Sequence, residues 1–237
     1  MSSLSHKTIL LTGATSGIGK ELLIVLLEQG ANVAFCGRSP EKMEVLKNGL
    51  NQFHSTQIYS ETFCLSDEHR IIGFVKAAHD HFGKIDILIN NAGLNNNRNT
   101  LTQLSTTDLD WMMTINFRAP VIFMREAGNI MIAQQEGLVV NILSSVCLFS
   151  NEGLGGYTAS KAALDAATKV YRKETRKHNI RVLSVYPGGV DTPFRTGERP
   201  EYLTAKQVAG VMVNALKTDS AVALDELVLR PMVERNF

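Results

Sequence analysis

Tyr157 and Lys161 stand four residues apart in an alanine-rich stretch. On a helix that spacing puts both side chains on one face. A phenol has a pKa of about 10 and must come down by about three units to exchange a proton near neutrality, at a cost of about 4 kcal/mol. An ammonium held beside it in a partly dry cleft could supply much of that. Taken alone, such a pair more often decorates a surface. The neighbouring Ala159, Ala162, Ala163, Ala166 and Ala167 suggest instead a helix packed closely on something. Ser144 and Ser145, at the end of an apolar run, offer a hydroxyl that could polarise a carbonyl, and Asn116 offers a buried amide. Cys36, Cys64 and Cys147 have no metal-ligand spacing and the six histidines are scattered, so no metal site is expected.

A second chemical signal lies near the start, in Thr12-Gly13-Ala14-Thr15-Ser16-Gly17-Ile18-Gly19. Gly13 can make a tight turn, Gly17 lets backbone approach a pyrophosphate, and Gly19 permits close helix–strand packing. The turn follows an apolar strand and opens a helix whose free N–H groups and dipole favour phosphate.

The elements that must position these residues alternate. Strands are expected at 7–12, 31–36, 57–64, 85–89, 138–143, 180–186 and 222–229. Helices are expected at 18–29, 40–52, 67–82, 105–133, 157–178 and 205–217, the fourth kinked by Pro120. Ser39-Pro40 and the Thr204/Gln207 pair read as helix starts. Short apolar strands alternating with helices predict an α/β fold: a Rossmann-type, doubly wound, mainly parallel sheet of about seven strands with helices on both faces. No Pro/Gly/Ser-rich linker divides the chain, so residues 1–237 read as one domain, with the glycine turn as its dinucleotide-binding element.

The spacing TGxxxGIG resembles the short-chain dehydrogenase/reductase family, and further matches follow in order. Asn90-Asn91-Ala92-Gly93 resembles the family's NNAG. Tyr157-Thr158-Ala159-Ser160-Lys161 matches its YxxxK, and Pro187-Gly188-Gly189-Val190-Asp191-Thr192 its PGxVxT. The resemblance implies a carbonyl/alcohol oxidoreductase. Tyr157 would donate the proton, Lys161 would lower its pKa and bind the nicotinamide ribose, and a serine would polarise the carbonyl. Asn116 would hold a water that links Lys161 to solvent. Of the two serines, a count of 13 residues before the tyrosine selects Ser144, whereas the family's Ser-Ser-Val segment selects its second serine. We expect Ser145, because a loop absorbs a one-residue deletion more easily than a buried strand slips by one residue. Cofactor contacts are implied for Gly13, Thr15, Ser16, Gly17, Ile18, Gly19, Leu65, Asn91, Ala92, Gly93, Tyr157, Lys161, Pro187, Gly188, Val190 and Thr192.

NAD-preferring members carry an acid at the end of the second strand; here stand Gly37 and Arg38. A guanidinium pairs with a 2′-phosphate, so NADP(H) is expected over NAD(H). Two positions depart from the family: Cys64 replaces an aspartate frequent after strand three, and Leu183 replaces an asparagine. Asp67 arrives late and is expected to cap the next helix.

A formal net charge of +1 gives no basic excess for nucleic acid. The longest apolar run, Leu22 to Leu27, is too short for a membrane span. Three scattered thiols and a short polar start read as a cytoplasmic protein. The partners expected are a small carbonyl or alcohol substrate and further copies of the chain, as a homodimer or homotetramer. A catalytically idle NADP-binding sensor or scaffold is the alternative. Selectivity is assigned to residues 94–104, 146–156 and 193–203, where Arg195 and Arg199 could meet an acidic substrate.

Overall fold

The computed structural model describes residues 3–235. Its strands and helices alternate as β1 (Thr8–Thr12), α1 (Gly17–Glu28), β2 (Asn32–Gly37), α2 (Pro40–Asn48), β3 (Ile58–Thr62), α3 (Glu68–Phe82) and β4 (Ile87–Asn90). There follow α4 (Thr106–Met113), α5 (Ala119–Gln134), β5 (Gly137–Ile142), α6 (Gly155–Thr175), β6 (Ile180–Pro187), the short pair β7 (Val190–Asp191) and β8 (Leu203–Thr204), α7 (Ala205–Leu216) and β9 (Glu226–Leu229). Seven strands form one parallel sheet in the order β3-β2-β1-β4-β5-β6-β9.

Successive residues of a strand point to opposite faces, and here both faces are buried. Ile9, Leu11, Val33, Phe35, Ile87 and Ile89 pack toward α1, α2 and α7. Leu10, Ala34, Cys36, Leu88 and Val139 pack toward α3, α5 and α6. A sheet covered on both sides needs near-continuous apolar strands, which is what the sequence supplies. The strand order reverses between β1 and β4, and such a reversal leaves a crevice beyond the strand C-terminal ends.

Several local expectations hold. Ser39 caps α2 with its hydroxyl accepting from the Lys42 N–H, Asp67 caps α3 by accepting from the Arg70 N–H, and Thr204 and Gln207 form a reciprocal capping box on α7. Others shift. The expected helix over 40–52 stops at Asn48, where Gly49 and a tight turn end it. The expected strand over 222–229 begins only at Glu226, because Asp219 takes the preceding residues into a turn through the Ala221 and Val222 N–H groups. The interruption at Pro120 is a wide π turn over Thr114–Arg118 that joins α4 to α5. Pro120 has no N–H to give the Asn116 carbonyl, so the ordinary helical bond there cannot form, and the extra residue per turn absorbs the mismatch. That bulge presents Asn116.

Candidate active site

A cleft of about 720 Å³ opens beyond the C-terminal ends of β1, β4, β5 and β6. Its floor at one end is the glycine turn. Gly13 and Gly17 have φ values of 70° and 55°, where a side chain is strained. A Cβ on Gly13 would come within 2.8 Å of the Ala92 backbone, and one on Gly19 would overlap the Gly13 carbonyl and the Asn91 amide. Ser16, the N-cap of α1, makes no capping bond with its side chain, so the first N–H groups of the helix remain available to a phosphate. Asn91 lines the cleft, and its side chain donates to the carbonyls of Thr12 and Gly13, while the Thr12 hydroxyl accepts from the N–H groups of Asn91 and Ala92. Thr12 and Asn91 together pin the turn, a job the sequence did not reveal for Thr12.

At the end of β2, Gly37 sits against Thr15; a Cβ there would lie 2.5 Å from the Thr15 methyl, so a bulkier residue needs Thr15 to move. Arg38 is exposed and lines the cleft, together with Ser39 and Lys42. Lys42, in the first turn of α2, is a second cation at this end that sequence reasoning missed. Leu65 and Cys64 line the wall after β3, and Pro187, Gly188, Val190 and Thr192 the wall after β6. From the C-terminal segment, Glu234 reaches back to accept the Gly189 N–H at 2.6 Å. Its presence here had no signal in the sequence.

Tyr157, Lys161, Asn116 and both serines gather at the other end. Tyr157 lies in the first turn of α6, which starts at Gly155 rather than at Tyr157 itself; Tyr157 and Lys161 are only 9% and 3% exposed. The Tyr157 ring packs on Phe194, with ring centroids 5.8 Å apart. Lys161 does not point its ammonium at the phenol. Its Nζ donates to the Ile142 carbonyl at 2.7 Å, beside Gly93, whose missing Cβ leaves room for it. Burial pulls the Lys161 pKa down to about 8, against a smaller upward pull from Cys147. Burial pushes the Tyr157 phenol up to about 12, opposed by a hydrogen bond with Ser144 and by the positive fields of Arg195 and Arg98. The expected lowering of the phenol is therefore absent from the protein alone, because desolvation of the phenolate outweighs the nearby cations.

Both serines line the cleft, and Ser144 is the one whose side chain hydrogen-bonds with the Tyr157 phenol. β5 ends at Ile142, so the segment after it is free of strand alternation. Ser144 adopts an extended conformation and accepts the Val146 N–H, while Ser145 enters a single helical turn over Ser145–Cys147. The hydrogen bond between Ser144 and Tyr157 matches the spacing of 13 residues rather than the Ser-Ser-Val likeness.

Asn116 lies buried between the loop after β4 and α6. Its side-chain oxygen accepts the Leu94 N–H, and its amide donates to the Leu94 carbonyl and to Ser160. Ser160 in turn donates to the Tyr157 carbonyl. The amide thus holds the 91–94 loop against α6. Ser160, hidden inside the YxxxK spacing, is the missed partner in this clamp.

Among the described residues no cluster of histidine, cysteine and acidic side chains could hold a metal ion, and no helix is long and apolar enough to cross a membrane. The glycine cradle, the uncapped helix start and the length of the cleft fit a nicotinamide dinucleotide.

Comparison with known proteins agrees with the geometry. The family described as short chain dehydrogenase matches residues 7–203. An uncharacterized oxidoreductase of Staphylococcus epidermidis is 30% identical over 236 residues, covering 98% of this chain and all of the relative. An alcohol dehydrogenase from the archaeon Thermococcus sibiricus, solved with 5-hydroxy-NADP, superposes with a TM-score of 0.89 at 25% identity, covering 98% of this chain and 99% of the other. A metagenomic short-chain oxidoreductase in complex with NADP gives 0.86 at 26% identity, covering 98% of this chain and all of the other. Taken with the seven-stranded parallel sheet and the glycine turn at its switch point, these matches establish that the chain belongs to the short-chain dehydrogenase/reductase family, as an oxidoreductase built for a nicotinamide cofactor.

Proposed function

We propose that the chain, acting as one domain, reduces a carbonyl with NADPH, Tyr157 donating the proton and Ser144 polarising the substrate oxygen. The observation that carries this reading is the meeting of the Tyr157 and Ser144 hydroxyls, with Lys161 behind them, in the cleft that also holds the glycine cradle. When bound, the reduced nicotinamide supplies the hydride. The chain's own residues supply the rest. Tyr157 gives its proton to the carbonyl oxygen as that oxygen gains charge, and Ser144 donates a hydrogen bond to the same atom. Lys161 sits where it can bind ribose hydroxyls and hold positive charge near the forming phenolate. Asn116 and Ser160 fix the positions of the loop and of α6. Helix dipole and backbone N–H groups at Ser16–Gly19 receive the pyrophosphate.

NADPH is favoured over NADH because Arg38 and Lys42 line the adenosine end and Gly37 stands where a carboxylate would repel a 2′-phosphate. Arg38→Ala should weaken NADPH binding by about 1.5–3 kcal/mol, the scale of a hydrogen bond between charged groups, and leave NADH binding nearly unchanged. Dissociation constants for both cofactors decide it; tighter NADH binding by the native chain overturns the preference. The reaction itself is tested by carbonyl-dependent NADPH oxidation across ketones and aldehydes. NADPH binding without turnover of any carbonyl would favour an idle sensor or scaffold.

The two serines separate by substitution. Ser144→Ala should lower turnover about a hundredfold, the loss typical of one donor to a developing oxyanion, whereas Ser145→Ala should cost less than about tenfold. The reverse ranking in a steady-state assay returns the role to Ser145.

A homodimer or homotetramer is supported by α6, which leaves Ala162 and Ala166 exposed and Val170 56% exposed on one helical row. Three free cysteines fit a cytoplasmic setting.

A further inference from the structure

We propose that Arg98 and Arg195 form a carboxylate subsite, so that the substrate is an oxo acid or its hydroxy-acid counterpart rather than a neutral ketone. The inference deepens the reductase reading and rests on it. The two arginines come from different loops, one after β4 and one after β7, and both line the cleft at the Tyr157 end. Neither meets a carboxylate among the described residues. Glu234 is the one acidic residue among the described residues that line the cleft, and its Oε1 accepts the Gly189 N–H while no ion pair joins it to Arg98 or Arg195. Two cations without an acid are therefore left facing the place where a substrate enters.

Arg195 is held rather than loose. Its guanidinium lies over the Tyr202 ring, 5.5 Å from the centroid, and Tyr202 packs on Gly189. A stacked guanidinium keeps its edge N–H groups for a planar anion, and two arginines can grip both carboxylate oxygens. Phe194, next in the chain, packs on Tyr157, which fixes Arg195 to the reacting end of the cleft. Leu94, Trp111, Val146, Phe149 and Leu154 give this end an apolar wall, and Asn95, Asn96 and Asn151 add neutral amides that carry no competing charge. Arg98 and Arg195 line the same cleft as Tyr157, and Arg195 follows directly on the Phe194 that packs against the proton donor. The sequence pointed to Arg195 with Arg199; the fold pairs Arg195 with Arg98 instead, because Arg199 does not line the cleft.

The test uses 2-oxobutanoate, 3-oxobutanoate and 4-oxopentanoate, which step the carbonyl away from the carboxylate, each beside its methyl ester. Binding to the native protein saturated with NADP⁺ is measured by calorimetry, and reduction is followed with NADPH. At least one acid should bind about tenfold or more tightly than its ester, the weight of one charge-assisted hydrogen bond. Arg98→Met and Arg195→Met should each cut that acid-to-ester ratio by about tenfold, with folding checked by thermal melting. Esters bound as well as all three acids, or ratios unmoved in both variants, overturn the subsite. Acids bound selectively but never reduced leave the subsite standing and overturn the reductase reading.

Discussion

Tyr157→Phe should lower turnover by at least about a hundredfold, the lower end of general acid catalysis, while NADPH binds nearly as before. The phenyl ring keeps the packing on Phe194, so the change removes one hydroxyl and little else. The loss is expected to be large because the hydroxyl is the group best placed to deliver a proton. Burial raises the phenol to about 12, so in the protein alone it keeps its proton throughout the neutral range. A group with a raised pKa is protonated below that value and loses its proton only above it. Reduction should therefore show no loss from Tyr157 ionisation between about pH 6 and 8. The reverse reaction needs phenolate, and bringing a pKa of about 12 to neutrality takes about 7 kcal/mol at 1.36 kcal/mol per unit. Lys161 and a cationic ring must supply that, so oxidation should accelerate as pH rises. Steady-state rates in both directions, with dissociation constants for NADPH, make the check. A phenylalanine variant that retains more than about a tenth of native turnover removes Tyr157 from the mechanism.

The order of elements was legible because their signals are local. Ile87-Leu88-Ile89 is apolar on both faces and can only be a buried strand, and Ser39-Pro40 or Thr204/Gln207 announce helix starts within a few residues. The glycine turn was legible for the same reason: Gly13 and Gly17 need positive φ, which few other residues tolerate. What stayed hidden depends on residues far apart in sequence. Which serine meets Tyr157 turns on where β5 stops, and that is set by pairing with β4 and β6, not by Ser144 and Ser145 themselves. That both ends of the Asn116 amide bind the loop at Leu94 depends on a contact across 22 residues, which no local pattern announces. Lys42, Glu234 and Arg98 enter the cleft from α2, the C-terminal segment and a loop, so no spacing rule links them. The phenol's raised pKa likewise follows from burial, which a helical i, i+4 count does not report.

Lys161→Met should separate function from stability, with opposite signs. Activity should fall by at least about a thousandfold, within the range of acid–base losses, and NADPH affinity should fall too, since the ammonium serves both proton donor and ribose. Stability should rise at neutral pH. Lys161 is buried and its pKa is pulled from 10.5 to about 8, which means that the folded protein holds this charge at a cost. At 1.36 kcal/mol per unit that cost is about 3 kcal/mol, before the hydrogen bond to the Ile142 carbonyl is set against it. Methionine removes the charge but strands the carbonyl, worth about 1–3 kcal/mol, so a net gain of order 1 kcal/mol is expected. The pH dependence identifies the source. Below about 8 both folded and unfolded native chains carry the proton, and the full cost applies. Between about 8 and 10.5 the folded chain has released its proton and the unfolded chain has not, so native stability climbs with pH. Above 10.5 both are neutral and the cost is gone. The advantage of the methionine variant in cofactor-free unfolding should therefore be greatest near pH 7 and shrink from about pH 8 upward. Urea unfolding of both proteins at pH 7 and pH 9.5 reads this directly. A variant less stable at pH 7, or an advantage that grows with pH, means that Lys161 is a structural partner of the Ile142 carbonyl rather than a charge held in place for the reaction.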